Sequence, residues 1–237
     1  MKREGSTVCG QRRRVALGLG LLAACLAAPP AAAQTLGDLA RAARTTRESL
    51  FGSIEFEAGS FEGLPQWARV IAKMERIRHR FEACAADRAH CNDAVLTTWR
   101  GVLDAAQGRP EDEQLRAVNL AFNRWPYRED IEIYGVSEYW ATPPEFISRS
   151  GDCEDFAISK LAALCNDRGW PRSALTLAAC RLQNGQGHAV LLVHSDKGVY
   201  ALDNRRRRVE PWQRLAYRWV AREEPGAPFG LWRKLIA

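Results

Sequence analysis

Apolar residues recur at intervals of three and four through the first half of the chain, and the last third breaks into short apolar runs separated by turns. Trp67, Val70, Ile71, Met74 and Ile77 predict a long helix opening at Leu64-Pro65. The same spacing returns in Cys91–Ala106 through Val95, Trp99 and Leu103, and again in Leu115–Phe122. An earlier helix is expected over Leu36–Leu50, and the segment Phe51–Gly63, with its glycines and phenylalanines, reads as a loop. Pro126 interrupts the periodicity and leaves Arg128–Trp140 irregular and aromatic. Pro143 fits the first turn of a short helix with Thr142 as its N-cap. A further helix spans Asp152–Arg168, with Phe156, Leu161, Leu164 and Cys165 facing inward and Gly169 and Pro171 closing it.

Beyond it, strands are expected at Ala174–Leu182, His188–His194, Val199–Leu202, Val209–Trp212, Tyr217–Val220 and Leu231–Leu235. Asp196-Lys197-Gly198 makes a hairpin turn between the second and third of these. Helices first and strands later, without βαβ alternation, predict an α+β fold with a C-terminal antiparallel sheet. Residues 34–237 then form one domain, helical over 34–150 and carrying the last helix and the sheet over 151–237.

The first 33 residues belong to a different category. Lys2, Arg3 and Arg12 to Arg14 precede an apolar run at Val15–Ala28 too short to span a bilayer, and Ala31-Ala32-Ala33 offers a small-residue cleavage site. This is the pattern of a signal peptide over residues 1–33. Leu22-Ala23-Ala24-Cys25 also resembles a lipobox, which would leave Cys25 lipid-anchored, and Arg12-Arg13 allows a twin-arginine reading. Each version exports the protein. Removing the segment takes away five basic residues and one acid, so the formal charge falls from +6 to +2 and the case for nucleic-acid binding weakens with it. The Arg205 to Arg208 run reads as a solvated turn.

Five cysteines remain: Cys84, Cys91, Cys153, Cys165 and Cys180. In an oxidising compartment an odd number leaves at least one thiol free. Cys84 and Cys91 suit a small-loop disulfide, Cys165 and Cys180 are either a second pair or buried hydrophobes, and Cys153 is the natural free thiol. Cys153 follows Asp152, an N-cap candidate, and a helix N-terminus lowers a thiol pKa and offers N–H groups to an oxyanion. His188 opens a strand after a glycine-containing turn, and Asp203 ends the strand paired with it, placed to orient the imidazole. Cys153, His188 and Asp203 therefore form a candidate thiol triad. Each has a plain alternative: Cys153 as an incidental residue inside an Asp152-x-x-Asp155 capping-box variant, His188 as a surface or satisfied histidine, and Asp203 as a turn aspartate. Asp152, Glu154 and Asp155 present hard oxygen ligands suited to calcium rather than zinc, for which no CxxC or HExxH pattern exists. Tyr139 and Trp140 are candidates for lining a substrate cleft, or else core aromatics.

Leu64-Pro65-Gln66-Trp67, Tyr139-Trp140-Ala141-Thr142-Pro143, Gly151-Asp152-Cys153-Glu154-Asp155-Phe156-Ala157-Ile158, His188-Ala189-Val190-Leu191 and Leu202-Asp203-Asn204 together resemble the bacterial transglutaminase-like cysteine proteinases, and among them the LapG group of periplasmic proteases. The resemblance covers most of the chain after the leader. It implies a papain/transglutaminase-like core, Cys153 as nucleophile, His188 as base, Asp203 as its orienter, and Ca2+ on Asp152, Glu154 and Asp155. It further implies cleavage near the N-terminus of a large repeat adhesin at the cell surface, often at paired alanines, with release of biofilm. A LapD-type inner-membrane cyclic-di-GMP receptor is the partner it implies. The four-arginine run after Asn204 and the lipobox depart from that pattern. A transglutaminase or amidase using the same triad, and a non-catalytic binding module, are the competing functions.

Overall fold

The computed structural model describes residues 54–57, 65–167, 170–224 and 232–236. The expected signal peptide, Cys25, the helix at Leu36–Leu50 and Gly169 lie outside these residues.

The helical half follows the apolar periodicity. Helix α1 (Pro65–Ala86) buries Trp67, Val70, Ile71, Met74, Phe81 and Cys84 along one stripe. A 3-10 turn at Arg88–His90 joins it to α2 (Ala94–Ala106), whose N-cap Asp93 accepts the Leu96 N–H at 2.8 Å. The helix expected from Cys91 thus begins at Ala94, because Asp93 takes the capping position. A Cys84–Cys91 disulfide, with Cα atoms 4.7 Å apart, ties the end of α1 to this connection. Helix α3 (Glu111–Phe122) follows Pro110 with three acids in its first turn, where the positive end of the helix dipole favours them.

The irregular segment after Pro126 contains one short helix, α4 (Asp130–Tyr134), which sequence periodicity did not predict. Gly135 ends it with φ 72°, a conformation that glycine adopts without a Cβ clash. Helix α5 (Pro143–Arg149) starts at Thr142 as expected. Helix α6 (Cys153–Asp167) is buried from Asp155 through Cys165 on every face, because other helices cover one side and the sheet the other.

The sheet comprises β1 (Ile54–Glu57), β2 (Leu175–Arg181), β3 (Gly187–Ser195), β4 (Gly198–Leu202), β5 (Glu210–Pro211), β6 (Arg218–Glu223) and β7 (Trp232–Ile236). Their order is β1-β7-β6-β2-β3-β4-β5, with every pairing antiparallel. Strand β1 corrects the loop expected over Phe51–Gly63: Ile54–Glu57 pairs with β7 at the sheet edge. The strand expected at Val209–Trp212 is reduced to two residues, since Pro211 has no N–H to donate and a 3-10 turn follows at Trp212–Arg214. One face of the sheet, including Leu175, Leu177, Leu191 and Val193, packs on α6 and the helical core. The other face forms a second cluster with Ala178, Cys180, Val190, Leu192, Trp219 and Leu235. Cys165 is disulfide-bonded whereas Cys180 is a free thiol, so these two cysteines do not pair with each other.

Candidate active site

Two backbone distortions bracket the site. Trp140 and Ser150 are the non-glycine residues with positive φ among the described residues, at 55° and 68°. Between Ser150 and the helix, Gly151 is required by space: a Cβ there would lie 2.0 Å from Asp155 Oδ2. Asp155 is thereby drawn under the chain, accepting the Asp152 N–H at 3.3 Å and the Ala141 N–H. The first of these is the returning half of a capping box, so the bland reading of Asp152-x-x-Asp155 is part of the site's construction.

Cys153 stands at the first position of α6 and lines a cleft of about 340 Å3 that His188 also lines. His188 Nε2 lies 3.0 Å from Asp203 Oδ1, and both residues are buried. The hairpin register explains the meeting, because Leu191 pairs with Leu202 and the next residue turns Asp203 toward the start of β3. Asp203 is further held by the Tyr217 hydroxyl at 2.6 Å and the Arg205 N–H at 2.8 Å. Burial alone would raise its pKa, but His188, Tyr217 and the Arg205 N–H keep it below the ordinary carboxylate range. The four arginines after Asn204 are exposed, and their backbone serves the site: the Arg206 carbonyl accepts from Asn119 and Asn123. Asn123 also donates to the Asp203 carbonyl.

With Nε2 engaged by Asp203, Nδ1 is the nitrogen left to exchange a proton with the thiol. The Cys153 thiol itself donates to Glu154 Oε2 at 3.1 Å. Burial, reinforced by the charges of Glu154 and Asp152 and opposed by the Ala189 N–H, pushes its pKa well up. Those carboxylate charges therefore oppose formation of the thiolate. Burial likewise raises Asp152, with Glu154 adding to it, and burial raises Glu154 and Asp155.

Asp152, Cys153 and Glu154 bring potential ligand atoms within 4.8 Å of one another, and so do Asp130, Asp152 and Asp155. Asp130 was not singled out from sequence; it is one of several acids in the irregular segment, and nothing in its spacing set it apart. Oδ1 of Asp130 and Oδ1 of Asp152 are buried without a hydrogen-bond partner. Converging carboxylate oxygens, two of them otherwise unsatisfied, suit a hard divalent cation.

Trp140 lines the cleft, and its indole N–H donates to Glu138 at 3.2 Å. Tyr139 lies behind the wall, stacked on Tyr134 at 3.6 Å, with its hydroxyl 2.8 Å from Glu145 and the Arg69 guanidinium over its ring. Tyr127, Tyr217 and Asn123 join the site without having been marked by any sequence motif, whereas Ala189, whose N–H faces the thiol, stands in the His188-Ala189-Val190-Leu191 motif. A larger groove of about 770 Å3 between α2 and α3 is lined, among the described residues, by no histidine, cysteine or carboxylate, whereas the smaller cleft gathers Cys153, His188 and four carboxylates.

A cysteine at a helix N-terminus, sharing a cleft with a histidine fixed by a buried aspartate, defines the papain-like class of thiol hydrolase. The sequence model of the bacterial transglutaminase-like cysteine proteinases (BTLCP) matches residues 75–236, and the chain belongs to that family of cysteine proteinases. Among solved structures it is similar to calcium-bound LapG of Legionella pneumophila, with 32% identity over 54% of this chain and 74% of that one, and a TM-score of 0.46. LapG of the same organism matches at 26% identity over 62% and 81% of the two chains, with a TM-score of 0.49. Its EGTA-treated form matches at 26% over 62% and 80%, with a TM-score of 0.48. No curated protein matches the chain. Among the described residues no helix is long and apolar enough to cross a membrane.

Proposed function

We propose that the protein is a calcium-dependent periplasmic endopeptidase that cleaves the N-terminal region of a large surface adhesin and so governs biofilm release. The observation that carries the chemistry is the cleft shared by Cys153 and the His188–Asp203 pair. Cys153 thiolate attacks the scissile carbonyl carbon, and the oxyanion is met by backbone N–H groups at the start of α6. As the C–N bond breaks, His188 delivers its proton to the leaving amine, and the acyl group remains as a Cys153 thioester. Water then attacks the thioester, His188 takes the water proton, and the C–S bond breaks to release the acid and the thiolate. Asp203 stays ionised throughout, holding the imidazole in one orientation.

Asp152 together with Asp130 and Asp155, and Asp152 together with Glu154, are the carboxylates that would hold calcium, which would supply positive charge where these acids oppose the thiolate. These residues hold the start of α6 against the segment carrying Asp130. The adhesin substrate, the periplasmic location and a LapD-type cyclic-di-GMP receptor as partner rest on the likeness to LapG-type sequences around Cys153, His188 and Asp203.

The test is cleavage of the N-terminal region of a large repeat adhesin from the same genome. The full chain with calcium is expected to cut it, and Cys153→Ala is expected to lose at least about a thousandfold in rate, as for other triad nucleophiles. Cleavage retained by Cys153→Ala, or undiminished after exhaustive chelation, would overturn the nucleophile or the calcium dependence respectively.

A further inference from the structure

The cleft carries charge of one sign. Among the described residues, four carboxylates line it, from Glu129, Glu138, Asp152 and Glu154, and no lysine or arginine does. In the reading above, Asp152 and Glu154 are committed to calcium, which leaves Glu129 and Glu138 as exposed charges on the rim. Glu138 accepts the Trp140 indole N–H at 3.2 Å, and Glu129 lies beside the Tyr127 phenol. The neighbouring cation, Arg128, is engaged by Glu132 at 3.9 Å, and Lys73 and Arg69 are held by Glu145.

The same segment is also where apolar surface gathers. Tyr127, Ile131 and Val136, exposed by 45%, 59% and 47%, are the exposed large hydrophobic residues among those described, and they lie within ten positions of one another. Tyr127 lines the cleft itself, and Ile131 and Val136 belong to the segment between its lining residues Glu129 and Ser137; exposed apolar side chains concentrated in this way mark a binding surface rather than the usual scatter. Continuity with the cleft makes the polypeptide being cut the occupant, and the acidic rim sets its charge.

We propose that the rim over residues 127–140 selects substrates that carry lysine or arginine within about five positions of the scissile bond, together with a large apolar side chain. This rests on the endopeptidase reading and adds to it the class of sequence cut. Glu129 and Glu138 pair with the basic side chain, Tyr127, Trp140 and Trp232 cover its aliphatic stem, and Ile131 and Val136 take the apolar residue further along.

A synthetic randomised peptide library digested by the full chain in calcium, with cut sites read by mass spectrometry, tests this. Lysine and arginine are expected to be enriched roughly three- to tenfold, the range two partly exposed ion pairs supply. The enrichment should fall within about five positions of the cut, the reach of an extended chain across such a cleft at about 3.3 Å per residue. It should collapse toward unity in Glu129→Gln/Glu138→Gln and at high salt. The single Glu138→Lys variant, expected to shift preference toward acidic residues, serves should the double variant fail to fold. Cutting without enrichment, or enrichment unchanged by these substitutions, overturns the selectivity and leaves the endopeptidase standing. No cutting of any peptide by the unaltered chain overturns both.

Discussion

Lys160 has no solvent contact, and its Nζ has no hydrogen-bond partner among the described residues; the ammonium lies 5.7 Å from the Phe156 ring centroid. Burial lowers its pKa to about 7 against the pull of Asp203 in the other direction. The unfolded chain holds that proton up to about pH 10.5, so between about 7 and 10.5 unfolding takes up a proton and stability rises with pH. Below 7 both states are protonated and the penalty is constant. Lys160→Met fills similar space without the amine, and is expected to be more stable than the parent at pH 7 by on the order of a few kcal/mol. That difference should shrink as pH rises to 10.5 in urea denaturation series; a less stable variant at pH 7 would mean that the amine is bonded. The sequence hides this lysine because Ser159-Lys160 reads as the polar face of a helix, and only the sheet behind α6 removes that face from water. Cys153, His188 and Asp203 were legible for the opposite reason. Each is a reactive side chain at the boundary of an apolar element, and a hairpin register brings the last two together. Asp130 and Tyr217 reach the site only through tertiary packing, which no local pattern encodes.

Glu145 joins three elements. On the first turn of α5 it accepts the Thr142 N–H and hydroxyl at 2.8 Å each, and the Tyr139 hydroxyl at the same distance. It also pairs with Lys73 of α1 at 2.5 Å. Burial would raise its pKa, yet Lys73, Thr142 and Tyr139 together lower it to about 2. Stability from this group is thus complete above its unfolded value of 4.5 and disappears as pH falls toward 2. Glu145→Gln is expected to cost about 2–3 kcal/mol at neutral pH, a figure already discounted for the side chain's partial exposure. The gap from the parent should narrow as pH falls from 4.5 toward 2. A constant gap across that range would place the effect in packing rather than charge. Elements with strong periodicity, such as α1 and β3, were readable to within a few residues, whereas α4 and β1 were not. A five-residue helix shows too few turns for a period to emerge, and a four-residue edge strand takes its identity from β7, far along the chain.

At the scale of the molecule, the acidic cluster joins the segment after Pro126 to the start of α6, since Asp130 comes from one and Asp152 and Asp155 from the other. The same segment is anchored by the Tyr139 N–H on Asp130 and the Ala141 N–H on Asp155. Burial raises the pKa of all three acids, so the calcium-free fold keeps protons that the unfolded chain releases near pH 4. Its stability is therefore greatest below that value and declines as pH rises through the folded values. A divalent cation bound there would replace those protons as the neutralising charge, so its effect should grow with pH. Calcium at about a hundred times its dissociation constant adds roughly 2.7 kcal/mol, which for a domain of this size is a Tm rise of about 5–10 °C. The expected result in thermal denaturation is a clear calcium shift at pH 8, a much smaller one at pH 5, and little from magnesium, which resists shedding its water. Asp130→Asn should remove at least half of the pH 8 shift by weakening one hard ligand. Equal Tm values with calcium and with EGTA at both pH values would show that the carboxylates gather for another reason, and Cys153 would then need a different source of positive charge to ionise.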